Sequence, residues 1–241
     1  MIVSIHQPEH LPWLGFFDKL SQAEIFVLLD NVQYRHKYFQ NRNKIRSADG
    51  ETWINVPVIT KGRREQLISE VEIENREPRW REKCLTSITI NYRKAPFFQR
   101  YSDFFKDLYD REWHLLVDLN EYIIRYIAGE LGLDVKLIKA SELPVTGSGE
   151  KLILDICREL GATKYISGIS GIAGRDKEYE TEFTKEGIEV VYQEFYHPIY
   201  RQVYEPFIPC MSIIDLLFNY GDSSLEVLKG IGVERMDTLI K

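Results

Sequence analysis

The residue types best suited to chemistry occur in one short run near the N-terminus, Ile5-His6-Gln7-Pro8-Glu9-His10-Leu11. Two of the five histidines stand here, between an apolar stretch that predicts a strand and a run that predicts a helix. In open α/β sheets, ligands bind outside the carboxyl ends of the strands. A neutral imidazole there can donate to a phosphate or carbonyl oxygen, and an imidazolium can stabilise developing negative charge. We predict that His6 and His10 are catalytic and that Gln7 contacts the substrate.

Two other interpretations of these histidines stay open. Either ring could instead cap a helix or pack in the core. A metal pair formed by His6 and His10 is disfavoured, because the spacing falls on a turn and no third ligand is evident. The sequence therefore predicts no metal site.

A second cluster follows the next apolar run, at residues 25–29. Asp30 comes directly after that run and so falls at the carboxyl edge of a predicted strand. It could bind a hydroxyl, hold Mg²⁺ or orient a histidine, although a turn or cap aspartate is equally common at such a position. We predict that Asp30 is catalytic and that Gln33 and Tyr34, just after it, bind the substrate.

The third cluster is Asn41-Arg42-Asn43-Lys44. On an extended segment the side chains alternate, so the two amides share one face and the two cations share the other. The amide face could hydrogen-bond a ligand and the cationic face could neutralise phosphate. A solvated charged face is the alternative. We predict that all four residues bind the substrate.

The fourth cluster is a loop with two Ser-Gly pairs after a predicted strand, over residues 167–174. Glycine lets backbone N–H groups approach an oxyanion, and a helix N-terminus beyond the loop adds positive potential. The loop matches neither a Walker A motif nor a good GxGxxG motif, and a flexible loop is the alternative. The candidate anion-binding residues are Ser167, Gly168, Ser170 and Gly171.

The fifth cluster lies near the C-terminus. We predict that His197 is catalytic and that Tyr200 and Gln202 line a cleft from the far edge of the sheet. Ser212 and Asp215 have the spacing of a helix N-cap and its partner three residues on, which favours a structural role for that pair. No spacing of nucleophile and base identifies a serine or cysteine hydrolase.

The composition narrows the classes of function. The chain has 241 residues, 44% of them apolar, a net charge of −6 and a pI near 5.5, so no basic nucleic-acid-binding surface is predicted overall. The aromatic content of 12% suits a tight core or a sugar-stacking cleft. Three widely spaced cysteines form neither a disulfide framework nor a metal motif. No apolar stretch approaches ~20 residues and no signal peptide is evident, so we expect a cytoplasmic protein without a transmembrane segment.

The order of predicted elements indicates an α/β fold: a single twisted, mostly parallel sheet flanked by helices. We predict one domain over residues 1–241, with a helical insertion at 60–132. The predicted sheet strands are 1–5, 25–29, 135–139, 164–167 and 188–193, and a hairpin is predicted from 39–46 and 52–59. The predicted helices are 11–20, 79–92, 97–109, 115–131, 149–160, 178–186, 213–218 and 225–228. The aromatic helix 97–109 leaves open a homo-oligomer as well as packing within the chain.

Motifs spread along the chain carry a family resemblance: His6-Gln7-Pro8, Leu11-Pro12-Trp13-Leu14-Gly15, Asp30-Asn31-Val32-Gln33-Tyr34, Asn41-Arg42-Asn43, the Ser-Gly loop, His197-Pro198-Ile199-Tyr200 and the Ser212-Ile213-Ile214-Asp215 segment. With them the sequence resembles the WbqC-like protein family over nearly its whole length. Members occur in gene clusters for O-antigen and other bacterial surface polysaccharides, and a glycine transferase role has been suggested.

The resemblance implies a transferase that acylates an amino sugar or an amino-sugar nucleotide. ATP with Mg²⁺ would activate the acyl donor as an acyl-adenylate or acyl-phosphate. His6 and His10 would then contact phosphate or an oxyanion, Asp30 a metal or the amine, and residues 41–44 the sugar nucleotide. The Ser-Gly loop would bind an anion, and His197 would deprotonate the amine.

Two other functions stay open. The turn with His10 between a strand and a helix is similar to the HIGH-motif arrangement of nucleotidylyltransferases, which have a nucleotide-binding, HUP/Rossmann-like fold, although Trp13 stands where a second histidine is expected. This favours a nucleotide-dependent ligase or nucleotidylyltransferase. The third candidate is a non-catalytic module that binds a nucleotide sugar.

Overall fold

The computed structural model describes residues 1–77, 79–168 and 177–239. The strands, in chain order, are β1 (Ile2–His6), β2 (Ile25–Leu28), β3 (Arg42–Ser47), β4 (Gly50–Asn55), β5 (Lys136–Lys139), β6 (Lys164–Ser167), β7 (Glu189–Tyr192), β8 (Tyr196–Ile199) and β9 (Glu234–Leu239). The helices are α1 (Leu14–Leu20), α2 (Arg79–Tyr92), α3 (Phe98–Asp110), α4 (Leu116–Glu130), α5 (Gly149–Glu159), α6 (Lys177–Lys185), α7 (Ile213–Tyr220) and α8 (Ser224–Leu228).

Five parallel strands form the central sheet, in the order β5-β2-β1-β6-β7. They read as continuous apolar runs because helices cover both faces of the sheet. In β2, Phe26 and Leu28 pack into a core with α1 and α4 residues, whereas Ile25 and Val27 pack into a second core with α5 and α6 residues. The predicted α/β fold, a parallel sheet flanked by helices, is therefore confirmed.

The chain builds this sheet outward from β1 in two directions. β2 and then β5 are added on one side, and β6 and then β7 on the other. The order of strands therefore reverses between β1 and β6. In doubly wound sheets this reversal opens a crevice at the carboxyl ends of the two strands, where ligands bind.

The predicted hairpin is confirmed as β3 paired antiparallel with β4. Gly50 closes its turn with a φ of 126°, a backbone conformation that side chains other than glycine rarely adopt. Both strands are shorter than predicted. Residues 39–41 and the proline-containing segment after Asn55 lie outside the two strands and connect the hairpin to the rest of the molecule.

Helices α2, α3 and α4 lie between the hairpin and β5, within the predicted helical segment. They share one hydrophobic core with α1, α7 and α8. We propose on this basis that residues 60–132 are an insertion within one domain. No helix in the described ranges is long and apolar enough to cross a membrane.

At two places the elements of the structure differ from those that the sequence predicts. The first helix begins at Leu14 rather than at residue 11, because Leu11 takes a φ of 47° and Trp13 forms a β-bridge with Ser212. The β8–β9 ribbon was not predicted at all. β8 contains Pro198, which lacks a backbone donor and weakens a strand signal, and charged residues interrupt β9.

Candidate functional site

The crevice expected between the carboxyl ends of β1 and β6 lies where two of the predicted clusters meet. His6 ends β1 and Gln7 follows it, while Ser167 ends β6 and Gly168 follows it. The Ser4 hydroxyl donates to the Ile166 carbonyl at 3.0 Å and ties the two strands together. Ser167 itself is fully buried. Ser170 and Gly171 lie outside the described residues.

His6 is half-buried at this edge, with its ring 5.1 Å from the ring of Phe16. Its Nδ1 lies 2.9 Å from the Gln7 carbonyl, which only accepts, so Nδ1 carries the proton. Burial, and then the positive charge of Lys19, lowers the pKa of His6 to about 3. His6 is therefore neutral at physiological pH, and its Nε2 is an acceptor. This differs from the predicted phosphate donor.

Two further titratable side chains, Glu9 and Lys19, lie near His6. Neither is among the site residues that the sequence predicts. Glu9 is only 5% exposed, and its Oε2 has no hydrogen-bond partner among the described residues. Burial raises its pKa to about 8, opposed by the charge of Lys19. Lys19 is buried in α1 and donates to the Ile5 carbonyl at 2.7 Å. In the sequence, a lysine that stands among the apolar residues of α1 could have indicated that this side chain is buried.

A series of buried hydrogen bonds links the turn after β1 to α3 and α4. Gln40 donates to the Gln7 side-chain oxygen at 2.7 Å, and the Asn120 amide donates to the Gln40 carbonyl at 2.7 Å. Asn120 Oδ1 lies 3.2 Å from His10 Nδ1, and the Tyr109 hydroxyl lies 3.4 Å from His10 Nε2. Both ring nitrogens of His10 are thus engaged, and its side chain is fully buried. Burial lowers its pKa to about 4.

Asp30 is also fully buried and engaged. Its carboxylate accepts from the Ser141 backbone N–H at 2.8 Å and from the Ser141 hydroxyl at 2.6 Å. These bonds join the loop after β2 to the loop after β5. The contact is therefore long-range, unlike the local turn or cap that the sequence left open as the alternative to catalysis, and the catalytic role of Asp30 stays a prediction.

The hairpin shows the predicted alternation of side chains. Asn41 and Asn43 are buried, whereas Arg42 and Lys44 are partly exposed. Asn43 donates to the Leu11 carbonyl at 2.9 Å, and Asn41 to the Val56 carbonyl at 2.8 Å. The amides therefore hold the hairpin to its neighbours, and the cations are left on the outer face.

Buried polar atoms without a partner concentrate near this edge. Eleven such side-chain atoms occur among the described residues, and six lie on the turn after β1, on residues 31–42 or on the segment packed against them. Burial raises the pKa of Tyr34 to about 12, opposed by nearby Arg42. Gln33 lies on the surface and donates to the Arg64 carbonyl at 3.0 Å. The six atoms are Glu9 Oε2, Asn31 Oδ1, Tyr34 Oη, Asn41 Oδ1, Arg42 Nε and Gln66 Oε1.

The C-terminal candidates form a cluster of their own. His197 is fully buried: its Nδ1 lies 2.7 Å from the Pro198 carbonyl, and its Nε2 accepts from the Cys210 N–H at 3.1 Å. Burial lowers its pKa to about 4. Tyr200 and Gln202 both donate to the Asp215 carboxylate at 2.8 Å. These contacts hold the segment before α7.

One structural prediction in this cluster is wrong in part. Ser212 caps α7 by accepting from the Ile214 N–H at 3.4 Å, as predicted. Asp215 is not its reciprocal partner, because the carboxylate turns to Tyr200 and Gln202. Burial raises the pKa of Asp215 to about 6. Long-range hydrogen bonds have replaced the local one.

Metal binding finds no support in the part of the chain that the structure describes. No group of three or more histidine, cysteine or acidic side chains there could hold a metal ion. The histidines with engaged ring nitrogens, His10 and His197, are saturated by protein groups.

Known proteins are similar to this chain over most of its length. The profile of the WbqC-like protein family matches residues 7–227. The chain is 30% identical over 229 residues to Uncharacterized protein Rv1507c of Mycobacterium tuberculosis, which covers 94% of this chain and 97% of that relative. No solved structure matches. Since the family match runs from the turn after β1 into α8, this chain belongs to the WbqC-like protein family.

Proposed function

We propose that this protein is an enzyme of bacterial surface-polysaccharide synthesis that transfers an acyl group to the amine of an amino-sugar nucleotide. Glycine is the acyl group suggested by the family resemblance. The reaction takes place at the crevice between β1 and β6. One observation carries the proposal: Glu9, a buried carboxylate at this edge within electrostatic reach of Lys19, has one oxygen without a hydrogen-bond partner among the described residues.

An amine substrate would explain why one oxygen of the Glu9 carboxylate has no hydrogen-bond partner among the described residues. An aliphatic amine is largely protonated near neutral pH and must lose a proton before it attacks an acyl carbon. An ammonium group would supply the missing partner of Glu9, and a base works best when its pKa lies near the working pH. With its pKa near 8, Glu9 suits this role.

The transfer step then balances as follows. One ammonium proton passes to Glu9, the neutral amine nitrogen forms a bond to the acyl carbon, the leaving group departs with the electron pair of the broken bond, and the second proton lost from the nitrogen goes to solvent. Neutral His6 accepts a hydrogen bond from a sugar hydroxyl or from the amine at Nε2. The charge of Lys19 limits the rise of the Glu9 pKa.

The remaining candidates divide into ligand-binding and supporting groups. Arg42 and Lys44, whose side chains are partly exposed, would bind phosphate oxygens. Gln7, Gln33 and Gly168 would line the crevice, with the buried Tyr34 and Ser167 behind them. His10, Asp30, Asn41, Asn43, His197, Tyr200 and Gln202 would act indirectly, because their hydrogen bonds hold the surrounding segments in place.

The test is direct transfer. Purified protein is incubated with UDP-glucosamine, glycine, ATP and Mg²⁺, and the N-acylated product is detected by mass spectrometry. We expect product with the wild type and at least ~10²-fold less with Glu9→Gln, since loss of a general base typically costs 10² to 10⁴. The matched control is Glu65→Gln, whose side chain is exposed. Equal turnover by Glu9→Gln would contradict the proposal.

The same assay separates the other two functions. Pyrophosphate release without any amine would indicate a nucleotidylyltransferase. The full burial of His10 gives that function no support, because the HIGH-like histidine has no surface for a phosphate. Tight sugar-nucleotide binding with no product under any donor condition would indicate a non-catalytic binding module.

A further inference from the structure

Three large aromatic side chains lie exposed and adjacent on the outer face of the hairpin and the loop before it. Tyr38 is 45% exposed, Phe39 37% and Trp53 43%. The Tyr38 and Phe39 ring centroids are 5.6 Å apart, and those of Phe39 and Trp53 are 6.1 Å apart. We call these three residues the aromatic platform. Contiguous exposed aromatic surface of this kind marks an interaction site.

Positive charge surrounds the platform. Residues 31–48 contain five lysines and arginines and no acidic residue, in a chain whose net charge is −6. The Arg42 guanidinium carbon lies 4.4 Å from the centre of the Trp53 ring, and Lys44 Nζ lies 5.3 Å from it. Arg42 also donates to the Lys37 carbonyl, and its Nε has no partner among the described residues. Arg42 is thus a cation held in place over the Trp53 ring, with its Nε buried.

The platform adjoins the crevice. The His10 N–H donates to the Phe39 carbonyl at 3.0 Å, and Gln40 donates to the Gln7 side chain at 2.7 Å. Two hydrogen bonds therefore fix the loop that carries Phe39 to the turn after β1. The turn that carries Glu9 and the loop that carries the platform are thus direct neighbours.

We propose that the aromatic platform binds the nucleoside diphosphate half of the substrate: the base stacks on Phe39 and Trp53, and Arg42 and Lys44 bind the diphosphate. This rests on the proposed function and assigns the part of the site that selects a nucleotide. Nucleobases stack on aromatic rings and on guanidinium planes, and the arginine guanidinium forms paired hydrogen bonds with phosphate oxygens.

The two rings form one exposed surface. The Phe39 and Trp53 ring centroids are 6.1 Å apart and the ring planes are tilted by 32°, so their exposed faces lie side by side for a base to stack on. Glu51 pairs with Lys44 at 2.5 Å beside the platform, and a carboxylate there disfavours the repeated phosphates of a polynucleotide. A single nucleotide therefore fits better than a polynucleotide.

The experiment measures binding without any turnover. UDP, ADP, TDP and inorganic pyrophosphate are titrated in turn by calorimetry and tryptophan fluorescence. We expect saturable binding of at least one nucleotide, at least tenfold tighter than pyrophosphate. Trp53→Ala should weaken it about tenfold or more, because a stacked base contributes that order of affinity. Arg42→Gln should weaken both nucleotide and pyrophosphate.

Matched variants separate stacking from misfolding. Trp53→Phe keeps an aromatic ring and should retain most of the affinity. Ile90→Ala, at a side chain that is 59% exposed on α2, should bind as the wild type does. Far-UV circular dichroism and thermal unfolding confirm that each variant is folded.

Three outcomes would overturn the inference: no saturable nucleotide binding, equal binding of pyrophosphate, or unchanged affinity in folded Trp53→Ala. Tighter, steeply salt-dependent binding of a 20-nucleotide single-stranded DNA would overturn it too, in favour of a polynucleotide partner. Platform-dependent UDP binding in wild type and Glu9→Gln, without acyl transfer by either, would leave this inference standing and remove the proposed function.

Discussion

Burial shifts the pKa values of two ionisable side chains near the end of β1 in opposite directions, with a lysine beside them. His6 is kept neutral by burial and by Lys19, while burial favours the neutral form of Glu9 and the charge of Lys19 opposes it. Lys19 is itself tied to the Ile5 carbonyl. Such pairs of groups with pKa values shifted in opposite directions are characteristic of acid–base sites.

The pH dependence of stability tests the burial of Glu9. Its folded pKa of about 8 exceeds its ordinary value of 4.5. Between these values the folded protein keeps a proton that the unfolded chain releases, so the free energy of unfolding falls as pH rises. Glu9→Gln has no such proton, so its free energy of unfolding does not fall for this reason. In the wild type the fall amounts to up to about 1.4 kcal/mol per pKa unit. We expect the variant to gain stability relative to wild type from pH 5 to pH 8.

Urea unfolding at pH 5 and pH 8 measures this gain. Glu65→Gln is the control, since its side chain is exposed and should track the wild type at both pH values. A difference between Glu9→Gln and wild type that is the same at both pH values would show that Glu9 is not buried as described.

At the scale of elements, the short helix α1 depends on contacts beyond its own turns. Gln193, just after β7, donates to the Gly15 carbonyl at 2.8 Å and to the Asp18 carboxylate at 2.6 Å. The Trp13 indole lies over Gly15 and packs edge-on against Phe195 at 5.4 Å. These contacts fix α1 over the β1 and β7 side of the sheet and so position Lys19.

Gly15 is required for the position of Trp13. A Cβ at residue 15 would lie 2.3 Å from the indole. We expect Gly15→Ala to lower the free energy of unfolding by ~1–3 kcal/mol, the usual cost of overpacking. Gly129→Ala is the matched control in α4, where a Cβ meets nothing within 4 Å and the change should stabilise by up to about 1 kcal/mol. If the two variants respond alike in chemical denaturation, the close approach of Trp13 is absent.

Asp30 joins two elements rather than facing a ligand. Asp30→Ala removes both acceptors of Ser141 and should cost ~1–3 kcal/mol of stability. Asp30→Asn keeps one acceptor and should fall between the alanine variant and wild type. Thermal unfolding and transfer activity per folded molecule are measured together, with Asp49→Asn in the exposed hairpin turn as the control. Full stability with lost activity would return Asp30 to the catalytic candidates.

At the scale of the whole molecule, the buried histidines make the fold sensitive to acid. The pKa values of His6, His10 and His197 are lowered to about 3, 4 and 4. Below their ordinary value of 6.5 the unfolded chain binds more protons than the folded protein, so the free energy of unfolding falls as pH falls. The raised pKa values of Glu9 and Asp215 act in the opposite direction and offset part of this loss.

His10→Gln isolates one of these contributions. We expect the variant to be less stable than wild type at pH 7.5 and the gap to narrow by up to ~2 kcal/mol at pH 5, since it has no proton to bind. His36→Gln, at an exposed position, should stay parallel to wild type. Urea midpoints at pH 7.5, 6 and 5 provide the measurement, and a constant gap for His10→Gln would contradict the lowered pKa.

Much of the architecture follows from local patterns. Continuous apolar runs predict the five parallel strands, and helix periodicity with glycine and proline breaks predicts α2 to α5 closely. The predictions fail where distant contacts override the local pattern, as at the start of α1, where Trp13 bridges Ser212, and in the proline-containing β8.

The sequence by itself determined that His6, Gln7, Asp30 and Ser167 stand at the carboxyl ends of parallel strands. Only the tertiary structure decided which polar groups are already engaged and which are left open. His10 bonds to Asn120, 110 residues away, and Asp30 to Ser141, 111 residues away, whereas Glu9 is buried with one oxygen unpaired. The physical reason is that a hydrogen-bond partner and a dielectric environment come from residues distant in the chain, so no local pattern specifies them.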